Sequence, residues 1–328
     1  MSVLRPELDW QWHLVRQLDE LGPTVRPRYL PDPAGLAQVS GSRLLDAEFL
    51  RAAIMRARPA EPTTGDGSRD DDPRIGVSRM SRLYCAALNC VALAGLANGV
   101  GIDLSPGRYS VTFDNNVPSR VSIGPEYEGR EVLRCAERPT SWPVSGPVVA
   151  TLDELREYVY TNLYAHNLGL LFTAATRMVN VPERLLWTNA AEWVAVLMDA
   201  AIEYLDPSSA APFVADCQAL LAADSLPGTA GHNPLRGLVE WLPYDGGEPA
   251  HGIQTRHLCC MLYQHSDRHG RLCQNCPLLP LPDRAALVRE RRGTGMVGSG
   301  GPAEQRCVEV GRDRIARATR KRSRGYTV

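Results

Sequence analysis

Residues 107–124, GRYSVTFDNNVPSRVSIG, decide the fold class. Tyr109, Val111 and Phe113 alternate with polar neighbours, the period-two pattern of a strand with one covered face. Asp114-Asn115-Asn116 offers a turn, after which Val121 and Ile123 resume the alternation, so the stretch predicts an antiparallel hairpin. Both flanks read as helix. Upstream, residues 78–98 are apolar along Leu83, Ala87, Val91 and Ala94, with Gly99 placed to stop the helix. Residues 9–21 and 43–57 predict shorter amphipathic helices, the second through Leu44, Leu45, Phe49, Leu50 and Ile54. Downstream, residues 125–150 carry four prolines and predict irregular or edge-strand backbone.

From residue 151 the pattern is helical again. Thr151 and Glu154 form a capping-box pair ahead of LREYVYTNLYAHNLGLLFTAATRMV. Asn180 and Glu183 repeat it, with Pro182 in the first turn, before RLLWTNAAEWVAVLMDAAIEYL. Residues 210–222 predict a shorter helix, and PLRGLVEWLP at 234–243 a last turn or two. Helices, a small antiparallel sheet, then helices again give an α+β fold, mostly helical, with the sheet in the middle. Residues 59–74, PAEPTTGDGSRDDDPR, lack apolar anchors and read as a solvated loop. The expected division is therefore 1–75, N-terminal helices and loop; 76–282, the main domain; and 283–328, a flexible basic tail that includes the linker GTGMVGSGGP.

A net charge of −1 over 328 residues builds in no general attraction to nucleic acid or anionic membrane. The basic tail is expected to be a disordered appendage and not a nucleic-acid arm. No run of about 20 apolar residues is evident, and the N-terminus has acidic residues where a signal peptide needs an apolar run. Cytoplasmic residence, with at most peripheral membrane contact, is the expectation. In that compartment thiols stay reduced, so nine cysteines point to metal or redox chemistry before disulfides.

Four of the nine lie in RHLCCMLYQHSDRHGRLCQNCPLL, residues 256–279, as Cys259-Cys260 and, after 12 intervening residues, Cys273-x-x-Cys276. Four thiolates suit an iron–sulfur cluster or a structural zinc, and spacing alone leaves both open. Adjacent cysteines diverge on regular backbone, so Cys259 and Cys260 need irregular local geometry to share a metal. His257, His265 and His269 read as loop residues that, with Arg256, Arg268 and Arg271, make the surroundings positive, which would raise a cluster's potential. Cys85, Cys90 and Cys217 read as small core hydrophobes, and Cys135 and Cys307 carry no partner spacing.

An arginine before Cys-Cys, an aromatic soon after, and Cys-x-x-Cys followed by Pro-Leu resemble the C-terminal signature of the FhuF-type ferric siderophore reductases. Residues 181–191, VPERLLWTNAA, resemble that family's central segment, with Thr188 where a glycine is usual. Together they cover roughly residues 80–280, and the gap between the cysteine pairs is slightly longer than the family's usual one. The resemblance implies that Cys259, Cys260, Cys273 and Cys276 hold a [2Fe–2S] cluster. It also implies one-electron reduction of Fe(III) in a ferric siderophore to Fe(II), which hard oxygen donors hold more weakly. Arg256, Trp187, Asn189 and Tyr263 are then candidates to hold the chelate. Arg256 could equally donate to a cluster sulfur, Trp187 fill the core, and Asn189 bridge helices. GLANGVG at 95–101 lacks the dinucleotide-binding order and no phosphate-binding loop is present, so the electron is expected from a separate donor, a ferredoxin or flavin reductase. Two rivals stand beside this expectation: a non-redox protein with a structural zinc, and an enzyme of siderophore assembly.

Overall fold

The computed structural model describes residues 38–57, 72–114, 117–122, 132–142, 144–243, 253–264, 271–293 and 308–309. Asp46 caps the first described helix, α1 (Ala47–Arg56), by accepting from Phe49 N at 2.9 Å. Asp72 does the same for α2 (Pro73–Ala97), accepting from Arg74 N at 2.9 Å, while Pro73 occupies the first turn, where its missing N–H costs nothing. The end of α2 falls where glycine was placed to stop it. Gly99 takes φ 68°, and a Cβ there would fall onto the Arg138 carbonyl. Gly99→Ala is accordingly expected to cost roughly 1–3 kcal/mol, read as a lowered urea midpoint with an unchanged m-value.

The hairpin forms as the alternation demands. β3 (Ser110–Asp114) pairs antiparallel with β4 (Val117–Ser122), Val111 opposite Val121, with a bulge between Thr112 and Phe113. β1 (Gln38–Ser40) adds to the free edge of β3. Where one sheet is predicted, several small ones form. β2 (Val100–Ile102) pairs antiparallel with β5 (Val132–Cys135), and β5 pairs parallel with β6 (Val148–Val149), so the proline-rich stretch contributes an edge strand, β6, and, against expectation, the central strand β5.

The capping box at α3 (Leu152–Tyr160) is complete: Glu154 N donates to Thr151 Oγ1 at 3.2 Å and Thr151 N to Glu154 Oε2 at 3.0 Å. The helix then widens into a π-helix over Thr161–Gly169 before α4 (Leu170–Met178). Side chains of this widened segment grip α2 and its neighbours. Tyr164 Oη donates to Asn89 Oδ1 at 2.6 Å, and Asn167 joins Tyr84, Tyr109 and the Leu104 carbonyl.

α5 (Glu183–Tyr204) departs from the predicted cap. Pro182 is the N-cap without a side-chain bond, and the Glu183 carboxylate accepts from Trp187 Nε1 at 3.0 Å instead of closing a box with Asn180. α6 (Pro207–Ala222) starts at Asp206, which accepts from Ser208 N and Ser209 N. Residues 239–242 are a strand and not a helical turn: β7 (Val239–Leu242) pairs antiparallel with β8 (Ile253–Arg256), because its β-branched and aromatic residues find a partner strand in the next segment. A helix, α7 (Leu281–Gly293), opens the stretch expected to be tail, and β9 (Arg271–Leu272) pairs with β10 (Val308–Glu309). The helix expected at 9–21 and most of the loop at 59–74 lie outside the described residues.

α2 packs along α5 and α6 through the core. Against the sequence expectation, α2 and α5 are each long and apolar enough to cross a membrane by length and composition. The protein covers 83 % of each such stretch, so both act as core helices.

Candidate metal centre

β8 delivers the chain into the cysteine segment. Directly after Cys259-Cys260, Met261 takes φ 62°, a left-handed conformation rare for a residue with a long side chain. That bend is the irregular geometry adjacent cysteines require, and it lets Met261 N–H donate to Cys259 Sγ at 3.4 Å. The second pair sits on a tight turn, with Cys276 N donating to Cys273 O at 2.9 Å and Leu279 N to Cys276 O at 3.0 Å.

The sulfurs pair across the two halves of the segment. Cys260 Sγ lies 3.9 Å from Cys273 Sγ, and Cys259 Sγ lies 3.6 Å from Cys276 Sγ. Two thiolates on one tetrahedral metal, each at about 2.3 Å, stand roughly 3.8 Å apart. Among the described residues, no three or more His, Cys, Asp or Glu side chains gather as the ligand set of one ion. All four thiols are free of disulfides; Cys260, Cys273 and Cys276 are buried and Cys259 is partly exposed. Leu262, Leu272 and Leu279, with Tyr263, Leu278 and Leu287 at the rim, make a small apolar core of their own around them. Four thiols, sulfur pairs at shared-coordination spacing, an N–H on one sulfur and an apolar coat fit an iron–sulfur cluster.

Beneath the thiols lies a buried polar network that the sequence reading did not assemble. Glu192 of α5 receives Arg82 of α2 in a two-bond fork, Nε to Oε2 at 2.9 Å and Nη2 to Oε1 at 3.0 Å. Arg256 Nη1 donates to the same Oε2 at 2.6 Å, and Asn275 Nδ2 to Oε1 at 2.6 Å. Arg256 also donates from Nη2 to Asn189 Oδ1 at 2.5 Å and from Nε to the Leu258 carbonyl at 2.7 Å. Asn189 Nδ2 donates back to Ser78 O and Ser81 Oγ, and Ser78 Oγ donates to the Cys260 carbonyl at 2.6 Å. The Arg82 guanidinium lies over the Trp193 ring, 5.5 Å from its centre.

Burial alone would raise the Glu192 carboxyl, but the charges of Arg256 and Arg82 outweigh it and hold it below its usual range. The Cys260 thiol is driven well down, first by hydrogen bonds from Cys259 and Cys273 and then, against burial, by Arg256 and Arg82. Cys259 goes the other way, its thiol raised by Cys260, Cys276 and burial. Cys85, Cys90 and Cys217 sit in the core, where burial pushes their thiols up.

The candidate chelate contacts fall in different places. Arg256 is 1 % exposed, and its guanidinium is committed to Glu192, Asn189 and Leu258, turned inward and not toward a docking ligand. Asn189 bridges α2 and α5 within the same network. Trp187 is buried with its ring edge against Phe172, centres 4.8 Å apart, well inside the core. Tyr263 is partly exposed at the rim of the thiols. His257 stands 3.8 Å from Glu240, while His265, Arg268, His269 and Cys307 lie outside the described residues. Arg82, Glu192 and Asn275 went unread, although a signal existed. Ser78, Ser81 and Arg82 form a polar stripe at i, i+3, i+4 on an otherwise apolar helix, and Asn189 and Glu192 form another.

The fold is a helical α+β protein with four thiols gathered in one segment toward its C-terminal side. A family model described as ferric iron reductase FhuF-like transporter matches residues 80–244, just over half of the chain, and the chain belongs to that family. The match runs from within α2 through β7 and stops short of the four cysteines. A search of curated proteins returned no significant match. Among solved structures, aerobactin synthetase IucC of Klebsiella pneumoniae is 17 % identical, with TM-score 0.44 over 64 % of this chain and 38 % of that one. ATP-bound aerobactin synthetase IucA of the same organism is 12 % identical, with TM-score 0.46 over 72 % of this chain and 49 % of that one. The chain thus spans less than half the length of either synthetase, and a likeness this slight carries no argument about activity.

Proposed function

We propose that this chain is a ferric siderophore reductase holding a [2Fe–2S] cluster on Cys259, Cys260, Cys273 and Cys276. The gathering of four thiols from the two halves of the segment, at spacings that thiolates sharing a metal take, supports it most directly. Membership of the FhuF-like ferric iron reductase family supports the reaction. When bound, the cluster supplies a single electron to Fe(III) in a docked siderophore.

The chain's own residues do the remaining work. Leu262, Leu272 and Leu279 keep water from the buried thiols, which strengthens the charge interactions among them. Cys259 is the least buried of the four, and Tyr263 flanks it at the rim, so the chelate is proposed to dock on that side. Met261 N–H steadies Cys259 Sγ there. Weakened binding of Fe(II) by hard oxygens makes reduction also release. A separate donor, a ferredoxin or flavin reductase, and a cytoplasmic setting complete the proposal.

Protein purified without oxygen is expected to contain iron and acid-labile sulfide in equal amounts and little zinc. Its visible bands should bleach with dithionite and recover on adding a ferric siderophore, with Fe(II) appearing in a ferrous trap. Stoichiometric zinc without sulfide would instead assign the thiols to a structural site.

A further inference from the structure

Resting on the cluster reading, we propose that Arg82, Glu192 and Arg256 are positioning residues that fix the charge beneath the thiolates and so set the site's reduction potential. The triad's side chains are 5 %, 0 % and 0 % exposed, and its two cations face one carboxylate, leaving one positive charge in excess. Burying ions is costly, and packed apolar residues of similar volume often hold helices together as well. Holding α2 to α5 therefore explains one ion pair but not a surplus cation. The groups placed to answer the surplus are the thiols, whose segment the network bonds directly: Arg256 Nε donates to the Leu258 carbonyl and Asn275 Nδ2 to Glu192 Oε1.

The network also grips both halves of the cysteine segment. Arg256 holds the Leu258 carbonyl beside the first pair, and its backbone N donates to Asn275 O at 3.2 Å inside the second. Asn275 in turn donates to Glu192, and Ser78 to the Cys260 carbonyl. Charge and position are thus delivered by the same side chains. Four thiolates around the metal leave a strongly anionic site that gains one more negative charge on reduction. A fixed, desolvated positive charge beneath it favours the reduced state and raises the potential.

Redox titration of the cluster-loaded protein tests this. Arg82→Gln leaves the Glu192–Arg256 pair whole and removes the surplus charge, and its midpoint is expected to fall by a tenfold or greater shift in the one-electron equilibrium, 59 mV or more. Arg82→Lys keeps the charge and should hold the midpoint near the parent's. Glu192→Gln doubles the surplus and should raise it, while Arg184→Gln, on the exposed face of α5, should not move it. Because Glu192→Gln strands two buried cations and can fail to fold, Arg82→Gln decides by itself. A midpoint unchanged in Arg82→Gln with the visible spectrum intact, or both charge variants moving the same way, overturns the proposal. Zinc without sulfide in the parent protein would remove the cluster reading beneath it, an outcome separable from a loaded cluster whose potential ignores the triad.

Discussion

Serine in place of Cys259, Cys260, Cys273 or Cys276 is expected to strip iron and acid-labile sulfide from the purified protein, while Cys85→Ser leaves both. Each of the four sulfurs stands within 3.9 Å of a partner from the other half of the segment, so each removal empties one side of a pair. A serine hydroxyl is a harder and far less acidic ligand than a thiol. Loss of roughly tenfold or more in retained metal follows, because ligand loss exceeds what loss of a supporting residue costs. Cys85 is fully buried on α2 and its thiol is pushed up by burial, so it supplies no thiolate. Total iron, sulfide and visible absorbance of the five variants measure this. A ligand variant that keeps the parent's metal content would show that its sulfur is not a ligand.

Glu192→Leu carries the second large effect. It leaves Arg82 and Arg256 buried without their carboxylate, and breaking a buried pair in this way costs about 3–5 kcal/mol. Urea midpoints of parent and variant at matched metal content should differ by that amount at neutral pH. The sign with pH follows from Glu192's lowered pKa. A carboxyl whose folded pKa lies below its unfolded value of 4.5 contributes fully above that value and loses its contribution as pH falls through the lower, folded one. The gap between parent and variant should therefore be flat from neutral pH to about pH 5 and narrow only in stronger acid. A difference under about 1 kcal/mol at pH 7 would mean that the two arginines find water or other partners when Glu192 is gone.

Much of this was legible in the residues, for reasons that differ by element. The hairpin, the stop at Gly99 and the Thr151–Glu154 box depend on neighbours in sequence, so local pattern suffices to find them. β7 read as helix because PLRGLVEWLP is short and apolar, and only its partner strand at 253–256 selects the extended form. The Asn180–Glu183 pattern failed because Trp187, one turn on, competes for the glutamate. The cysteine cluster is visible in the sequence by its spacing, which leaves iron–sulfur and zinc both open. The residues that support it are not, since Ser78, Arg82, Glu192 and Arg256 meet only once α2 and α5 are packed. Arg256 shows the difference most clearly: a cation beside a metal segment suggests an outer, ligand-facing role, and only the tertiary structure turns it inward onto Glu192 and Asn189.

The crossing of sulfurs between Cys259-Cys260 and Cys273-x-x-Cys276 bears on the order of assembly during synthesis. On the proposed reading, a nascent chain that ends after Cys260 owns only two of the four sulfurs the cluster needs. The floor of the site is just as late, since Ser78 bonds the Cys260 carbonyl from 182 residues upstream. On the proposed cluster reading, cofactor insertion would be the step that laces residues 256–279 onto helices formed long before them.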